Sequence, residues 1–420
     1  MEEKLMNKKR LIVSLAASTA LAASVLAVPS ANAAAKTITV WADEQRGPQL
    51  KSLIDGNTTI APGYVIKVKF FSALTALQGA WDKATAAGGP DVMTGPASMA
   101  SQGGKSGKLA PLTYSATNQA QIPSAGQQAL SYKGKTYGVP LDVDTTAFLW
   151  NKKLYGDTAP KTFKDMVDWY NANKTAKGLT GGICAFEGTW GSHPIITALG
   201  GGAWGYKGTT PDVNNVLLNS DAFKANIKTY LLGADGKSNG FFQWDGCGDA
   251  FKAGKIAFAN TGAWNFQGIK DAGISYGLGA VPGLTAGTFG QQWVNYSGAY
   301  VTSFAAKHGV DLGAKKLVLG WFATKEGQLL MSTASGRPPA NKLAAPIIND
   351  ASTKGVANAA TTGTPQISPL LDDKTGGSNW YDVLGAAFTS IFVKGESVAT
   401  TLDNAAGILK KNFANAAANS

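Results

Sequence analysis

The sequence predicts an α/β fold divided between two lobes. Residues 37–41 alternate in a strand-like pattern, apolar positions at 65, 68 and 70 indicate a second strand, and residues 91–93 indicate a third. A helical segment at 74–87 separates the second and third strands, and strand, helix, strand is typical of a parallel sheet. The chain has 420 residues, and about 387 remain after a predicted leader. That length exceeds what one hydrophobic core usually holds, so we expect two lobes.

The first residues have the layout of a secretory signal peptide. A basic segment precedes the uncharged, Ala- and Ser-rich stretch 11–28, and Ala31-Asn32-Ala33 follows as a small-residue cleavage site. A membrane anchor is the alternative, but the short hydrophobic centre argues against it. We expect cleavage near Ala33 and a secreted, extracytoplasmic protein. Since no cysteine lies near this site, we expect no thioether-linked lipid anchor.

The charge and the scarce histidines exclude several function classes. The formal charge of +11 falls to +9 once the four basic and two acidic residues of the leader are removed. The lysines are scattered singly and not grouped into a basic motif, so we expect no nucleic-acid partner. His193 and His308 are the only histidines, and no phosphate loop, nucleophile elbow or zinc motif appears. We expect no cofactor, no metal and no catalytic residue.

Cys184 and Cys247 are the only cysteines, and both lie in the exported part. An even number of cysteines in an oxidising compartment favours one structural disulfide. Two unpaired buried thiols are the alternative.

Further elements follow along the chain. Residues 136–140 and 147–150 are predicted strands that flank an acidic stretch with Asp142 and Asp144. Thr162 is a predicted helix start, Ser220 or Asp221 is another, and residues 255–259 are predicted to form a strand that leads into Trp264. The last hundred residues are predicted to be mainly helical, with a frayed tail from residue 414.

A series of short motifs runs through the mature chain. In order they are Thr39-Val40-Trp41-Ala42-Asp43-Glu44-Gln45-Arg46-Gly47, Gly89-Pro90-Asp91, Lys133-Gly134-Lys135-Thr136-Tyr137-Gly138-Val139-Pro140, Leu149-Trp150-Asn151-Lys152-Lys153-Leu154, Pro160-Lys161-Thr162-Phe163, Phe251-Lys252-Ala253-Gly254-Lys255-Ile256-Ala257-Phe258, Gly262-Ala263-Trp264, Gly336-Arg337-Pro338-Pro339-Ala340 and Asn379-Trp380-Tyr381. Together they resemble the extracytoplasmic solute-binding proteins of ABC sugar importers, most closely the maltose/maltodextrin-binding group and its actinobacterial relatives.

The resemblance implies a periplasmic-binding-protein fold, in which two α/β lobes are joined by several strand crossovers around a ligand cleft. On that basis one lobe covers residues 36–142 and 298–342, and the other covers 146–293 and 346–420. The hinge then lies near 143–145, 294–297 and 343–345. We expect a monomer that binds maltose, a maltodextrin or a related α-glucoside outside the cell. Cleft closure would deliver the sugar to the permease subunits of an ABC importer.

Candidate ligand residues follow from the resemblance and from the chemistry of sugars, which present an apolar C–H face and a rim of hydroxyls. Aromatic platforms are expected at Trp190, Trp264, Phe266, Trp380 and Tyr381. Polar contacts are expected from Asp43, Gln45, Arg46, Asp142, Asp144 and Glu187, whereas we expect Glu44 to point away. Asp142 and Asp144 are two residues apart and share one face of an extended strand.

Residues 95–99, Gly-Pro-Ala-Ser-Met, depart from the family, which has an aromatic residue and a polar set there. A different disaccharide or a longer oligosaccharide therefore remains open as the ligand.

Two other functions remain open. The paired carboxylates Asp142 and Asp144 suggest a secreted glycoside hydrolase, but hydrolysis needs two carboxyls on opposite sides of the bond, and these two would lie on one side. A binding protein for a peptide or a metal is the other alternative.

Overall fold

Two β-sheets carry the fold of the residues that the structure describes. The structure is a computed structural model, and it describes residues 35–208 and 210–419. The predicted leader and its cleavage site near Ala33 lie outside these residues. The strands are, in chain order, β1 (Lys36–Ala42), β2 (Tyr64–Phe70), β3 (Val92–Pro96), β4 (Ser131–Tyr132), β5 (Lys135–Thr136), β6 (Gly138–Asp144), β7 (Thr146–Asn151), β8 (Gly181–Ala185), β9 (Gly205–Lys207), β10 (Thr210–Asp212), β11 (Phe242–Gln243), β12 (Ile256–Gly262), β13 (Tyr276–Gly279), β14 (Trp293–Val301) and β15 (Thr364–Pro365).

Helices cover these sheets and make up most of the C-terminal part. They are α1 (Gly47–Ile54), α2 (Leu74–Lys83), α3 (Ser98–Ser106), α4 (Ala116–Gln121), α5 (Ser124–Ala129), α6 (Lys152–Tyr155), α7 (Phe163–Asn173), α8 (Gly188–Gly191), α9 (His193–Ala198), α10 (Asp221–Tyr230), α11 (Gly248–Lys252), α12 (Phe266–Asp271), α13 (Phe304–Lys307), α14 (Asp311–Leu317), α15 (Lys325–Ser335), α16 (Ala351–Ala360), α17 (Ser368–Leu371), α18 (Trp380–Phe388) and α19 (Val398–Ala418). Short 3₁₀ or π segments lie at Leu217–Asn219, Ala263–Asn265, Val318–Phe322, Ala345–Ile347 and Thr389–Val393.

The first sheet has the strand order β15-β14-β3-β1-β2, with β6 also paired to β14. β1 pairs in parallel with β2 and with β3, and α1 and α2 connect the three strands. This arrangement confirms the parallel strand-helix-strand prediction. β14 runs antiparallel to both β3 and β6 and parallel to β15, so it joins β6 and β15 to the rest of the sheet.

The second sheet has the order β11-β8-β12-β7-β13. β8 pairs in parallel with β11 and β12, whereas β7 is antiparallel to β12 and β13. Its core is rich in aromatic residues, among them Phe148, Phe258 and Trp293. The first sheet has a separate, mainly aliphatic core that includes Ile38, Val40 and Ile66.

The chain passes between the two sheets at Thr145 and again along β14. β6 ends in the first sheet at Asp144, and β7 begins in the second sheet at Thr146. On the return, Trp293 at the start of β14 packs in the core of the second sheet, while Val301 at its end packs in the core of the first. Contacts nevertheless group Lys36–Ser420 into one compact unit, and the lobe boundaries stay a prediction.

Both predicted helix starts are present. The Thr162 hydroxyl accepts from the Asp165 backbone N–H at 3.1 Å, and the Asp165 carboxylate accepts from the Thr162 N–H at 2.9 Å, which completes a capping box. The Ser220 hydroxyl caps α10 by accepting from the Phe223 N–H at 3.2 Å.

Three local predictions need correction. α2 ends at Lys83 and not at residue 87, because Ala84 adopts an extended conformation. Asp142 and Asp144 belong to β6 and not to a stretch between two strands. The tail is not frayed from residue 414, because α19 continues to Ala418 and buries Ala416 against the core of the second sheet.

A disulfide joins Cys184 in β8 to Cys247 at the start of α11. Both cysteines are buried in the interior next to the second sheet. The alternative of two unpaired thiols does not hold in this structure.

Within the described ranges, no helix combines the length and the apolar character needed to cross a membrane.

Candidate functional site

A buried cluster of charges lies where the chain crosses between the sheets. The Arg46 guanidinium contacts Asp43 at 2.7 Å, Asp142 at 3.0 Å and Asp144 at 3.1 Å. Asp43 follows β1 and also accepts from the Arg46 backbone N–H at 2.8 Å, which fixes the loop that leads into α1. The two β6 carboxylates share one face of their strand, as the spacing predicts.

This charge network perturbs the ionisation of its members. Burial alone would raise the pKa of Asp144, but Arg46, Arg337 and a hydrogen bond from Ser297 together hold it below its usual range. Burial lowers the pKa of Arg46, but Asp142, Asp43 and Asp144 outweigh this effect and raise it well above its ordinary value. Both groups are therefore charged over the physiological range.

Arg337 connects this cluster to the second sheet. Gly336 ends α15 with φ +70°, a left-handed conformation that glycine adopts at low cost, and the chain then leaves the helix at Arg337. Arg337 Nε lies 3.2 Å from Asp144 Oδ1, and its terminal nitrogen donates to the Gln45 side chain. Its guanidinium also lies over the Trp264 ring, 5.1 Å from the ring centroid.

Glu187 organises the opposite wall. Its Oε1 accepts from the Thr261 hydroxyl at 2.7 Å and from Trp264 Nε1 and Asn265 Nδ2, both at 2.9 Å. Its Oε2 is buried, and no hydrogen-bond partner in the described part of the chain reaches it. Burial raises the pKa of the Glu187 carboxyl to about 7, against the lowering effect of these hydrogen bonds.

Trp190 extends the same wall. Its ring lies 6.0 Å from that of Trp264, tilted by 42°. Trp190 Nε1 donates to Gln366 at 3.0 Å, and Gln366 donates to the Tyr381 hydroxyl at 2.9 Å. Two indoles and an amide are thus held in one surface, which suits a ligand with both apolar and polar faces.

These groups enclose a cavity of about 310 Å³, which we call the smaller chamber. Its wall includes the predicted residues Asp43, Gln45, Arg46, Asp144, Glu187, Trp190 and Trp264. Residues from both sheets therefore meet at one opening.

The remaining predicted residues lie elsewhere. Asp142 is not part of the chamber wall. Both of its carboxylate oxygens accept hydrogen bonds from Arg46, so its role is to position the guanidinium. Tyr381 is half-buried and reaches the wall only through Gln366.

Two aromatic residues predicted as platforms are buried instead. Trp380 is fully buried in the core of the second sheet, because α18 turns it inward with Val383 and Leu384. Phe266 is only 4 % exposed and packs against Tyr276, with ring centroids 5.7 Å apart, and it contributes to the wall of a neighbouring cavity and not to this one. This corrects the expectation that either ring is an open sugar platform.

The wall also contains five residues that were not expected as ligand contacts, namely Leu74, Pro96, Asn295, Arg337 and Gln366. Arg337 lies within the quoted Gly336-Arg337-Pro338 motif, so a signal for it was present. No sequence signal indicated Asn295 or Gln366, because their positions in the wall depend on the pairing of β14 with β15.

A second cavity of about 1010 Å³, the larger chamber, adjoins the first and shares Gln45, Trp264 and Arg337 with it. Glu44 lines this larger chamber and is not part of the wall of the smaller one. In the described residues, no group of three or more His, Cys, Asp or Glu side chains is placed to hold a metal ion.

Comparison with known proteins agrees with this architecture. A family model described as bacterial extracellular solute-binding protein matches residues 61–361. The chain is 26% identical over 322 residues to a maltooligosaccharide ABC transporter solute-binding lipoprotein of Streptococcus pneumoniae, which covers 74% of each chain. It is 27% identical over 297 residues to the maltodextrin-binding protein MdxE of Bacillus subtilis, covering 64% of this chain and 67% of the relative. It is also 25% identical over 281 residues to a galactooligosaccharide-binding protein of Bacillus subtilis, covering 64% of this chain and 65% of the relative.

Proposed function

Because this chain belongs to the bacterial extracellular solute-binding protein family, we propose that it binds an oligosaccharide outside the cell and presents it to an ABC importer. The three relatives described above are named as binding proteins and not as enzymes. We propose maltodextrins or related α-glucosides as the ligands, with galactooligosaccharides as the competing class. Membrane-embedded permease subunits would be the partner, and the protein would act as a monomer.

The observation that carries this proposal is the composition of the smaller chamber. Trp190 and Trp264 offer flat rings for the C–H face of a sugar, and beside them Glu187 keeps a carboxyl oxygen that no described residue pairs with. Hydroxyls act as donors and as acceptors, so a sugar could pair with such a carboxyl and with guanidinium N–H groups at the same time. Asp43, Gln45, Arg46 and Asp144 supply the polar side of the proposed site.

We propose that binding closes the cleft between the two sheets. Arg337 already links Asp144 of the first sheet to Trp264 of the second. A sugar held by both walls would favour the closed form by its difference in affinity for the two forms. Small-angle scattering should then show a smaller radius of gyration with ligand than without, whereas an unchanged radius would reject closure.

The ligand class is tested by isothermal titration calorimetry with purified protein. Maltodextrins, galactooligosaccharides, a peptide mixture and divalent metal salts would be titrated separately. We expect saturable binding of one oligosaccharide series and none of the peptides or metals. Absence of binding by every sugar would contradict the proposal.

A glycoside hydrolase is the second candidate, because one chamber holds a carboxyl with a raised pKa, Glu187, and one with a lowered pKa, Asp144. Asp144, however, is engaged by Arg46, Arg337 and Ser297, which leaves it poorly placed to attack a sugar. Prolonged incubation with the bound oligosaccharide, followed by chromatography, separates the two functions. Shorter products would favour hydrolysis, and unchanged ligand would favour transport.

A further inference from the structure

We propose that a lysine-rich face beside the first sheet binds a linear polyanion of the cell envelope, one whose repeating units are joined by phosphodiester groups. We call it the basic face and define it by five exposed lysines, Lys83, Lys105, Lys133, Lys135 and Lys307. It is separate from the ligand site, because none of these lysines lines either chamber. The inference rests on the proposed function for one point, the direction in which the face points.

The fold gathers lysines that are scattered along the sequence. Lys105 lies in the last turn of α3. Its neighbour Gly104 packs so closely against the hairpin of β4 and β5 that a Cβ atom there would come within 3.0 Å of the Tyr132 ring. The turn of this hairpin carries Lys133 and Lys135, so three of the five lysines lie on adjoining segments.

Lys108 connects these segments to the other two lysines. Its ammonium donates to the Asp82 carbonyl at 2.8 Å, at the end of α2, where Lys83 lies. Its own carbonyl accepts from the Ser303 N–H at 2.8 Å, and Lys307 ends the short helix α13 that follows. Lys108 therefore braces the basic face, while the five exposed ammonium groups around it stay available to a partner.

The basic face is not neutralised by acidic residues. In the segments that carry it, Asp82 is the only acidic residue; these segments are 80–88, 98–110, 131–137 and 303–309. None of the five lysines forms a salt bridge with a carboxylate of the described residues, whereas Lys164, Lys224 and Lys315 elsewhere each pair with an aspartate. The positive field of this face is thus directed to the outside.

The charge of the whole chain is distributed in the same way. The predicted ranges of the first lobe, 36–142 and 298–342, hold 16 basic and 8 acidic residues. Those of the second lobe, 146–293 and 346–420, hold 18 basic and 16 acidic residues. The excess positive charge is therefore concentrated on the lobe that carries the basic face, and such a concentration attracts anionic partners.

The residue type favours a polymer over a single bound phosphate. Arg46 and Arg337 are the only arginines after the predicted leader, and both are buried in the charge cluster. Arginine grips one phosphate through two parallel hydrogen bonds, whereas lysine is a flexible, hydrated point charge. A face built from lysines alone suits many weakly held charges along a flexible chain.

The position of the basic face decides between a polymer and the membrane surface. Leu74 begins α2 and Pro96 lies just before α3, and both line the smaller chamber. The basic face lies at the other ends of these helices, about 15 Å away for α2. A sugar released from the cleft has to enter the importer, so the cleft faces the membrane and the basic face points away from it. Phosphodiester polymers outside the membrane are there, and lipid headgroups are not.

The experiment compares a polymer with a membrane as partner of the full protein. Fluorescence anisotropy measures the affinity for labelled poly(glycerol phosphate), and co-sedimentation measures binding to vesicles that contain phosphatidylglycerol. For the unchanged protein we expect saturable polymer binding that weakens about tenfold or more between about 50 and 200 mM salt. The face variant replaces four of the lysines together: Lys83→Gln, Lys105→Gln, Lys133→Gln and Lys135→Gln. It should bind the polymer about tenfold more weakly at the lower salt concentration and keep its affinity for sugar.

The matched control removes the same number of charges from exposed lysines of the second lobe, namely Lys161→Gln, Lys177→Gln, Lys228→Gln and Lys411→Gln. Its polymer affinity should stay within about twofold of that of the unchanged protein. Thermal unfolding should show that both combined variants fold. Equal losses of polymer affinity in the two variants would mean that only net charge counts, and the basic face would be rejected.

Tighter binding to the vesicles than to the polymer, at equal phosphate concentration, would overturn the choice of partner. A protein that binds sugar but no polymer would reject the basic face and leave the proposed function standing. Polymer binding that the face variant loses, in a protein that binds no sugar, would support the basic face and contradict the proposed function.

Discussion

The guanidinium of Arg337 lies 5.1 Å from the centroid of the Trp264 ring, and Trp264 Nε1 in turn donates to Glu187 at 2.9 Å. One ring thus receives a cation on its face and holds a carboxylate at its edge. Since Arg337 also pairs with Asp144, this contact ties the charge cluster of the first sheet to the aromatic wall of the second. We therefore expect a substitution at Trp264 to change ligand affinity more than a substitution elsewhere in the wall.

Trp264→Ala should weaken oligosaccharide binding by about 1–3 kcal/mol, through the loss of ring stacking and burial. Calorimetry with the tightest ligand measures the change. Trp321→Ala is the matched control, because Trp321 is also half-buried but lies against Phe322, away from both chambers. Equal affinities of the two variants would show that Trp264 is not a ligand platform.

Arg46→Met should destabilise the protein by about 3–5 kcal/mol, because it leaves Asp43, Asp142 and Asp144 buried without their shared cation. The free energy of unfolding is obtained from urea titrations. Lys164→Met breaks the exposed Lys164–Asp168 pair and should leave the free energy of unfolding nearly unchanged, because water and salt screen exposed pairs. A similar small loss in both variants would mean that the buried network adds nothing to stability.

Local patterns predicted the first three strands because alternation is a property of neighbouring residues. β14 was not predicted, although it pairs with β3, β6 and β15 in the first sheet. Asn295 and Ser297 interrupt its apolar pattern, and both lie opposite the acidic residues of β6, Asn295 beside Asp144 and Ser297 beside Asp142. Ser297, which bonds to Arg46 and Asp144 in the charge cluster, is thus one of the residues that concealed the strand.

The site was predictable where its residues follow strands of a recognisable motif, as with Asp43, Asp144 and Trp264. Contacts between distant segments were not. One partner of Asp144 is Arg337, which follows a helix nearly two hundred positions later, and no local pattern links the two. Trp380 illustrates the opposite error, because its spacing to Val383 and Leu384 already indicated a buried helix face.

Glu187→Gln should make stability less dependent on pH. The pKa of this carboxyl is about 7 in the folded chain and near 4.5 when unperturbed. Between these values the folded chain keeps a proton that the unfolded chain has lost, so the free energy of unfolding falls as pH rises. Glutamine carries no such proton, and its stability relative to the unchanged protein should improve from about pH 4.5 to 7.

Urea titrations at several pH values, without ligand, measure this difference. Glu326→Gln is the control, because Glu326 is an exposed carboxylate on α15. The free energy of unfolding of this control variant, plotted against pH, should run parallel to that of the unchanged protein. If the Glu187→Gln curve is also parallel, the carboxyl does not titrate in this window.

His308→Gln should cost stability in acid and little in base. His308 Nε2 lies 2.5 Å from the Ala86 carbonyl oxygen and Nδ1 lies 2.6 Å from Asp91, and these contacts raise the pKa of the imidazole above 6.5. The contribution of His308 to the free energy of unfolding is fully present below the pKa of the imidazole in the unfolded chain. It is lost as pH rises through the pKa of the imidazole in the folded chain. The measurement is the difference in free energy of unfolding between the two proteins at pH 5.5 and 8.5.

His193 has the opposite effect on the pH dependence of stability. Because it is present in both proteins, its contribution cancels from the difference in free energy of unfolding. Burial lowers its pKa to about 3, so it destabilises the fold as pH falls below 6.5. A difference between variant and unchanged protein that stays constant with pH would contradict the role of His308.

The double variant Cys184→Ser, Cys247→Ser should lower stability without changing ligand affinity. The two cysteines are 63 positions apart, and a cross-link closing such a loop stabilises by about 4 kcal/mol in the chain-entropy model. Both are buried beside the second sheet and line neither chamber. Denaturant unfolding should therefore show a loss of about 2–4 kcal/mol, while calorimetry gives the same dissociation constant. Reduction of the unchanged protein with dithiothreitol should reproduce the loss, and the double variant should not respond to it. A double variant with unchanged stability but no ligand binding would contradict this prediction. It would show that the disulfide determines the geometry of the cleft and does not act mainly by stabilising the fold.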